Sequence, residues 1–472
     1  IKSSYLVGID GFSAPLVLLT GLLSLVACMA SWRIEKRVKE YFIWILLLET
    51  SVLGVFTSLD LLLFFVFFEF ELIPMYMLIS IWGSGRKEYS ATKFVIFTLA
   101  GGAFMLIAIL ALFSSASVTN LSMVSIPEIG ILGIPELIAG QKLVIPASII
   151  FIFFFIAFAV KLPLWPLHNW LPDAHTDAPT AVSIMLAGVL LKMGGYGMLR
   201  ISASMFPNEL HQFAWIIALL GTINIIYGAV ITIRQTDLKR LIAFSSVGHM
   251  GFVMLGISSL TSIGINAAMI GMVAHGIITG LLFFVSGSMA HTYHTRDMGR
   301  LGGNMKLLPK TGALLGFTAM ASLGLPGLAG FWGEFMALLG AYNPLSGLNI
   351  TVFRTSMVAG AIGTVLTAGY LLWMLQRVNL GEPKEEWIGQ ELHDADNYEL
   401  AAWIPLVILT VLIGVFPKLI FGSTNDAVIN SLTKTNGTPL SGNESTIRVV
   451  LNISSPPPSG LETIQILSLI HI

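Results

Sequence analysis

Eight ionisable side chains lie inside long apolar segments of this sequence, where a charge is expensive. They are Glu49, Glu69, Glu71, Lys161, Lys192, His249, His275 and Glu334. A charge at the centre of a bilayer costs about 2.5–3.5 kcal/mol on insertion scales. Several such charges in one chain therefore indicate that they serve its function. Acids and bases alternate along the set, and titratable groups linked by water are what a proton relay requires. The pattern predicts a chain that conducts protons through a membrane.

Lys161 is the strongest of these candidates. It follows a seventeen-residue apolar run, 144–160, and lies beside Pro163. A buried lysine is neutral alone and charged beside a carboxylate, so a Lys161 with a movable carboxylate partner would act as a proton switch. Glu69 is the predicted partner, because it lies deep in the span 61–81.

The other charges are weighed against structural roles. Glu71 lies about 200° around a continuous helix from Glu69, which makes it the weaker acid. Glu49 could approach Glu69 from a neighbouring helix. A buried histidine is often only a hydrogen-bonded core residue, and this alternative stays open for His249 and, to a smaller degree, for His275.

The composition favours one class of protein. Of 472 residues, 55% are hydrophobic and 11% are charged, whereas about 25% of an average soluble domain is charged. A net charge of -1 without a basic stripe argues against nucleic-acid binding. The single cysteine, Cys28, excludes an internal disulfide and a four-cysteine iron–sulfur site. Metal-ligand spacing and phosphate-binding loops are also missing, so no cofactor is predicted in this chain. Asp173 and Asp177 are interpreted as helix caps.

Twelve apolar segments predict an all-α polytopic membrane protein. They are 12–31, 40–59, 61–81, 91–114, 143–171, 180–202, 211–233, 240–260, 264–290, 311–342, 352–376 and 400–422. Segments 143–171 and 311–342 would exceed about 40 Å as straight helices, against a hydrocarbon core of about 30 Å. Pro163 and Pro166 interrupt the first, and the run from Gly324 to Gly327 interrupts the second. Interrupted helices at membrane depth indicate a transport site. Glu334 follows the second interruption, and Lys192 lies mid-span.

Two inverted repeats of five spans are predicted, with the broken helix fourth in each. The chain then divides into a first helix and loop (1–39), repeat one (40–210), repeat two (211–380), an acidic loop with the last helix (381–425) and a disordered tail (426–472). Asp60 and Asp237 open corresponding spans. The last six residues resemble a sequencing adaptor. The acidic loop is interpreted as solvated, with a docking surface for another subunit as the alternative.

Lysine and arginine are concentrated in alternate loops, around 33–39, 86–93, 234–240, 296–310 and 377–384. This bias predicts that these loops face the cytoplasm, the matrix or the stroma. We call this the Lys/Arg-rich side. The predicted location is the inner membrane of a bacterial cell, with the mitochondrial inner and thylakoid membranes as alternatives.

One long motif resembles a known family. It comprises Lys161-Leu162-Pro163, Pro166-Leu167-His168-Asn169-Trp170-Leu171-Pro172-Asp173-Ala174-His175, Ala178-Pro179-Thr180-Ala181 and residues 186–197. Further matches lie at 8–11, 237–240, 245–247 and 294–298. Together they resemble the antiporter-like subunits of respiratory complex I, and Glu334 favours the M-type among them.

The resemblance implies a fold of fourteen helices with inverted five-helix repeats, of which this chain would lack the first two. It also implies a proton relay. The implied relay residues are Glu69, Lys161, Lys192, His275 and Glu334, to which the reading above adds His249 and Glu49 as weaker candidates. The implied partners are the other membrane-arm subunits, including neighbouring antiporter-like subunits, in a lipid bilayer. Electron transfer to quinone would take place in other subunits.

Alternative functions share this fold. A subunit of a multi-subunit Na⁺/H⁺ antiporter and a hydrogenase membrane arm are two of them. Glu71 is shared with photosynthetic relatives, which leaves NADH or ferredoxin as the electron donor. In a third reading, the subunit is structural and its charges only lock the helices together.

Overall fold

The computed structural model describes residues 3–115, 118–126, 131–436 and 449–452. The all-α polytopic prediction is confirmed. The helices are α1 (Ala14–Ala30), α2 (Val38–Thr57), α3 (Leu61–Phe70), α4 (Leu72–Trp82), α5 (Lys87–Phe113), α6 (Ile134–Ile138), α7 (Ala147–Lys161), α8 (Trp170–Asp177), α9 (Thr180–Met185), α10 (Leu191–Gly197), α11 (Pro207–Ile233), α12 (Leu238–Ser258), α13 (Ser262–Tyr293), α14 (Asn304–Leu307), α15 (Pro309–Ser322), α16 (Ala329–Tyr342), α17 (Ile350–Val378), α18 (Asn397–Val415) and α19 (Lys418–Asn436). A short 3₁₀ turn covers Glu385–Trp387.

Within the described residues, nine helical segments are long and apolar enough to cross a membrane. The shorter α1 and the two interrupted helices, α7 with α8 and α15 with α16, bring the number of spans to the predicted twelve. Three segments form the centre of the bundle. Of the most apolar 18-residue stretch of each helical segment, 100% is buried in the segment 180–203 and 94% in each of α12 and α13. In the other six segments, 33–44% of that stretch is buried. Charges on the three central segments are therefore shielded from lipid.

Helix starts follow from the capping residues. Asp60 accepts hydrogen bonds from the backbone N–H groups of Leu62 and Leu63, and Asp237 accepts one from Arg240. Each carboxylate satisfies donors that the first turn of a helix leaves free. The prediction that both residues open spans is confirmed. Asp173 and Asp177 do not cap the following helix, because α9 begins after Pro179 without a side-chain cap.

Both predicted interruptions occur. α7 ends at Lys161 and α8 starts at Trp170, so Pro163 and Pro166 fall in the connecting turns. α15 ends at Ser322 and α16 starts at Ala329. Gly324 and Gly327 adopt φ values of +80° and +93° in that second gap. Only glycine tolerates this conformation without strain, so the glycines determine where the chain turns.

The C-terminal part differs from the prediction. The span expected at 400–422 ends at Val415, and α19 continues the helical structure to Asn436. Residues 426–436 are therefore helical and not a disordered tail. Strand β1 (Leu6–Ile9) pairs antiparallel with β2 (Val449–Asn452), with Leu6 opposite Asn452. The remainder of the predicted tail, 437–448 and 453–472, lies outside the described residues.

The acidic loop before α18 is anchored to the bundle. Asp394 accepts hydrogen bonds from the Thr311 hydroxyl at 2.6 Å and from the backbone N–H of Lys310 at 2.8 Å. Arg300 pairs with Glu386 at 2.8 Å, and partly exposed ion pairs of this kind contribute little energy. The hydrogen bonds of Asp394 therefore define the anchor.

We expect Asp394→Ala to release this loop, with a loss of about 1–2 kcal/mol of docking energy. Burial raises the pKa of Asp394, but the hydrogen bonds from Thr311 and the Lys310 backbone outweigh burial and hold the pKa below its ordinary value. The docking energy is therefore complete at neutral pH and is lost progressively as the pH falls through the lowered pKa. Limited proteolysis measures loop release. The exposed Glu391→Ala is the control, and equal cleavage of both variants at pH 7 would contradict the anchor.

Candidate functional site: a line of buried charges

Lys161 forms a buried ion pair with Glu71. Its Nζ contacts Glu71 Oε1, and the two side chains are 1% and 0% exposed. The rings of Phe68 and Phe94 lie 5.2 Å and 5.5 Å from Nζ. Their negative faces further stabilise an ammonium group. The ion-pair partner predicted from the sequence, Glu69, is therefore wrong.

A helix interruption explains the difference. α3 ends at Phe70 and α4 begins at Leu72, so Glu71 lies in the junction and not on a continuous helix. Pro74 is the cause, because a proline ring clashes with the carbonyl four residues earlier, here that of Phe70. The angle of about 200° between Glu69 and Glu71 holds only for an unbroken helix. Pro74 was the sequence signal that the prediction missed.

Glu69 remains close to the pair without joining it. Its carboxylate packs over Gly102 of α5, and its Oε2 is buried with no hydrogen-bond partner in the described part of the chain. Its charge nevertheless acts on Lys161. Lys161 thus has one carboxylate in contact and a second within electrostatic reach, which is the arrangement that a change of partner requires.

Glu49 is half-buried on α2. Its charge acts on Cys28 of α1. Within the described residues no hydrogen bond or ion pair joins it to Glu69, so the structure gives no support to the predicted approach of Glu49 to Glu69.

Lys192 belongs to the central segment 180–203, which contains π-helical turns at Leu186–Leu190 and Met198–Ala203. π turns inside helices are frequent at functional sites. Lys192 follows the first π turn, and its Nζ donates a hydrogen bond to the Ala187 carbonyl within that turn. The same Nζ lies 2.7 Å from His275 Nδ1.

Gly194 allows the helices of the two lysines to touch. A Cβ atom at this position would lie 2.7 Å from Leu162 N and 2.8 Å from Phe158 O of the α7 segment. Both contacts are with backbone atoms, which cannot rotate away as a flexible side chain can. Gly194 is two residues from Lys192, and Leu162 follows Lys161. The glycine therefore brings the two lysine-bearing segments together.

We expect Gly194→Ala to separate these segments and to destabilise the fold by about 1–3 kcal/mol through overpacking. Proton transfer between the two lysines should fall several-fold. Thermal unfolding and proton uptake in vesicles measure the two effects. Gly21→Ala is the matched control, because a Cβ at Gly21 meets nothing within 4 Å. Equal behaviour of the two variants would contradict the inferred contact.

Two histidines and a glutamate continue the line. The rings of His275 and His249 lie 5.5 Å apart between centroids. His249 Nδ1 lies 2.9 Å from Glu334 Oε1, and His249 Nε2 lies 3.2 Å from the Ser322 hydroxyl. His249, a weaker candidate from the sequence, is thus the link between His275 and Glu334. Three helices, α12, α13 and α16, each contribute one residue of this group.

A cavity of about 30 Å³ lies beside this group. One water needs roughly 10–15 Å³, so the cavity can hold water. His249, His275, Glu334, Ser322 and Thr279 supply polar groups to its wall. His275 Nε2 is buried and has no hydrogen-bond partner among the described residues. Water in the cavity would give this nitrogen a partner.

Several functional candidates were invisible in the sequence. Ser322 and Thr279 lack charge, and only the packing shows that each contacts a histidine of the line.

Asp173 binds Lys93 at 2.7 Å, and Asp177 accepts a hydrogen bond from the Ser90 hydroxyl at 2.6 Å. These carboxylates hold α8 against α5. In the described residues, no cluster of three or more His, Cys, Asp or Glu could hold a metal ion.

Interrupted helices, an apolar exterior and a line of buried acids and bases define an antiporter-like, ion-translocating membrane subunit. Residues 58–362 match the family described as NADH:quinone oxidoreductase/Mrp antiporter, transmembrane. The chain belongs to this family. The resemblance stated from the sequence is confirmed.

Named relatives agree with this assignment. The chain is 40% identical over 421 residues to NADH-quinone oxidoreductase subunit M of Rhodobacter capsulatus, covering 88% of this chain and 80% of the relative. It is 42% identical over 423 residues to an NAD(P)H-quinone oxidoreductase chain 4 of Trichormus variabilis, covering 89% and 76%.

Solved structures share the fold. A chain of respiratory complex I from Thermus thermophilus superposes with a TM-score of 0.81 at 29% identity, covering 92% of this chain and 87% of that chain. A chain of the Mrp complex from Dietzia gives a TM-score of 0.76 at 20% identity, covering 90% and 84%. The second likeness concerns the fold alone.

Proposed function

We propose that this chain is a membrane-arm subunit of an NADH-quinone oxidoreductase, complex I, and translocates protons while other subunits pass electrons from NADH to quinone. Relatives at 40% and 42% identity support this assignment. The redox centres then lie outside this chain. The membrane is the inner membrane of a bacterial cell, with the Lys/Arg-rich side towards the cytoplasm.

One observation carries the proposal: Lys192, His275, His249 and Glu334 form a continuous line of titratable groups. Neighbours in this line are joined by a contact of 2.7 Å, a ring separation of 5.5 Å and a contact of 2.9 Å. Imidazole rings can accept a proton on one nitrogen and release one from the other. The line therefore permits a proton to pass from Lys192 to Glu334.

The ion pair of Lys161 and Glu71 would control the supply to this line. While Glu71 contacts Lys161, the lysine holds its proton. When a charge shift elsewhere in the enzyme draws the carboxylate away, the ammonium group in its apolar site becomes unstable and gives its proton to Lys192. Return of Glu71 favours reprotonation of Lys161. The two stable arrangements make the pair a switch.

We expect Lys161→Ala to lower NADH-driven proton translocation by at least about tenfold, since proton-transfer groups contribute about 10²–10⁴-fold. The measurement is proton movement per electron by the assembled enzyme in inverted membrane vesicles. The control is Lys142→Ala, an exposed lysine before α7. An unchanged proton-to-electron ratio in Lys161→Ala would overturn the proposal.

A second candidate function is proton translocation in a quinone oxidoreductase that accepts NADPH, so it differs from the first only in the electron donor. The relative at 42% identity is an NAD(P)H-quinone oxidoreductase. Comparing NADH with NADPH as donor to the assembled complex separates the two. Oxidation of NADPH at the rate of NADH would favour the second candidate.

A further inference from the structure

A cavity of about 640 Å³ opens at the Lys/Arg-rich side of the bundle. We call it the vestibule. It lies where α4 ends, α9 and α12 begin and α13 ends, and its wall includes Thr180, Lys239, Ser286 and Gly287. The Ser286 hydroxyl is buried, and no described residue forms a hydrogen bond with it. A large cavity with polar groups on its wall, one of them an unpartnered hydroxyl, is suited to holding water.

One face of α13 leads from the vestibule to the relay. Ser286, Phe283, Thr279 and His275 are spaced by three, four and four residues, which places them on the same side of the helix. At 1.5 Å per residue, Ser286 lies about 16 Å from His275 along the helix axis. Thr279 and His275 already line the inner cavity. A proton from the vestibule therefore has about three helical turns to cross.

His175 lies at this face, between the two cavities. Its ring stacks on Phe283 with centroids 4.6 Å apart and an interplanar angle of 7°. The residue is completely buried, and both ring nitrogens have no hydrogen-bond partner among the described residues. Lys239, on the vestibule wall, donates a hydrogen bond to the carbonyl of Ala178, three residues after His175. Phe283 lies about two helical turns from His275, which contacts Lys192.

A packing role alone does not account for this arrangement. An imidazole always presents polar nitrogens, and leaving a buried one without a hydrogen bond destabilises the fold. A phenylalanine would stack on Phe283 without that cost. The unpaired nitrogens therefore point to water, or to a partner that is present only during turnover.

We propose that His175 carries protons from the vestibule to Lys192. Resting on the proposed function, this inference adds the residue that reloads the two lysines: after Lys192 has passed its proton along the line, His175 reprotonates Lys192 and, through it, Lys161 when Glu71 returns. Water near Ser286 delivers a proton to one ring nitrogen of His175, which forms an imidazolium ion. The other nitrogen releases its proton through water to the neutral amine of Lys192. Exchange of the ring tautomer then restores the starting state.

The test compares three variants of the assembled enzyme in inverted vesicles. We expect His175→Phe, which keeps the stacking, to lower NADH-driven proton uptake by at least about tenfold. His175→Ala should lose as much, but added imidazole should restore uptake several-fold, because it can enter through the vestibule and occupy the vacated ring site. Imidazole should not rescue His175→Phe, whose ring site is filled. His211→Phe, on α11, is the matched control.

Two results would overturn the intake role. One is wild-type uptake in His175→Phe, and the other is a loss in His175→Ala that imidazole leaves unchanged. Lys192→Ala, measured in parallel, separates this inference from the proposed function. If Lys192→Ala loses uptake and His175→Phe keeps it, only the intake route is wrong. If Lys192→Ala keeps uptake, the relay itself is wrong.

Discussion

Replacing Glu71 by glutamine should abolish most proton translocation, with a loss of at least about tenfold. The amide keeps the size of the side chain but removes the charge that holds the proton on Lys161. Glu69→Gln should have a smaller, few-fold effect, because Glu69 does not contact the lysine. Proton uptake by inverted vesicles, normalised to assembled enzyme, measures both. The control is Glu88→Gln, an exposed glutamate on α5.

A purely structural ion pair would give a different result. Removing one partner of a buried pair costs about 3–5 kcal/mol, so loss of activity alone could reflect loss of the folded protein. The double variant Glu71→Leu with Lys161→Met replaces both charges by apolar groups, a change that stability often tolerates. We expect this variant to assemble without translocating protons. A double variant that regains proton translocation would show that the pair only locks the helices.

Replacing Glu334 by glutamine should block the other end of the line. Glutamine can still accept a hydrogen bond from His249 Nδ1, at the position where the contact measures 2.9 Å, but it cannot take up a proton. We expect a loss of at least about tenfold in proton translocation with assembly intact. Glu385→Gln, exposed in the loop before α18, is the control.

His249→Gln should reproduce much of the Glu334→Gln effect, because His249 is the contact between Glu334 and the other histidine. Glutamine keeps one polar contact and cannot relay a proton between two nitrogens. Normal translocation in His249→Gln would mean that protons reach Glu334 by another path, and this result would remove His249 from the line.

Much of the fold could be predicted because it rests on local signals. The lengths of the apolar runs predicted the spans. Pro163 and the glycines of 324–327 predicted the interruptions, and Asp60 and Asp237 predicted helix starts. The helix 418–436 was not predicted, because its sequence is less apolar than the spans and contains no comparably long hydrophobic run. Such a helix depends on packing more than on composition.

The site was predicted in its members, and the order Lys161, Lys192, His275 and Glu334 was implied by the resemblance, but the contacts that join them were not predicted. Lys161, Lys192, His275 and Glu334 were recognisable because a charge stands out in an apolar run. Their partners depend on which helices touch, and residues as far apart in sequence as Lys192 and His275 give no sign of contact. The exchange of Glu69 for Glu71 was a local error, and Pro74 explains it. The caps predicted at Asp173 and Asp177 were a second local error.

The central claim is that the Glu71 carboxylate moves away from Lys161 and that Glu334 takes up a proton while the enzyme works. An infrared difference spectrum between the resting and the NADH-reduced enzyme in membranes measures this directly. We expect a shifted carboxylate band that is missing in Glu71→Gln and a carbonyl band of a protonated carboxyl group that is missing in Glu334→Gln. Spectra of both variants identical to that of the wild type would contradict the claim.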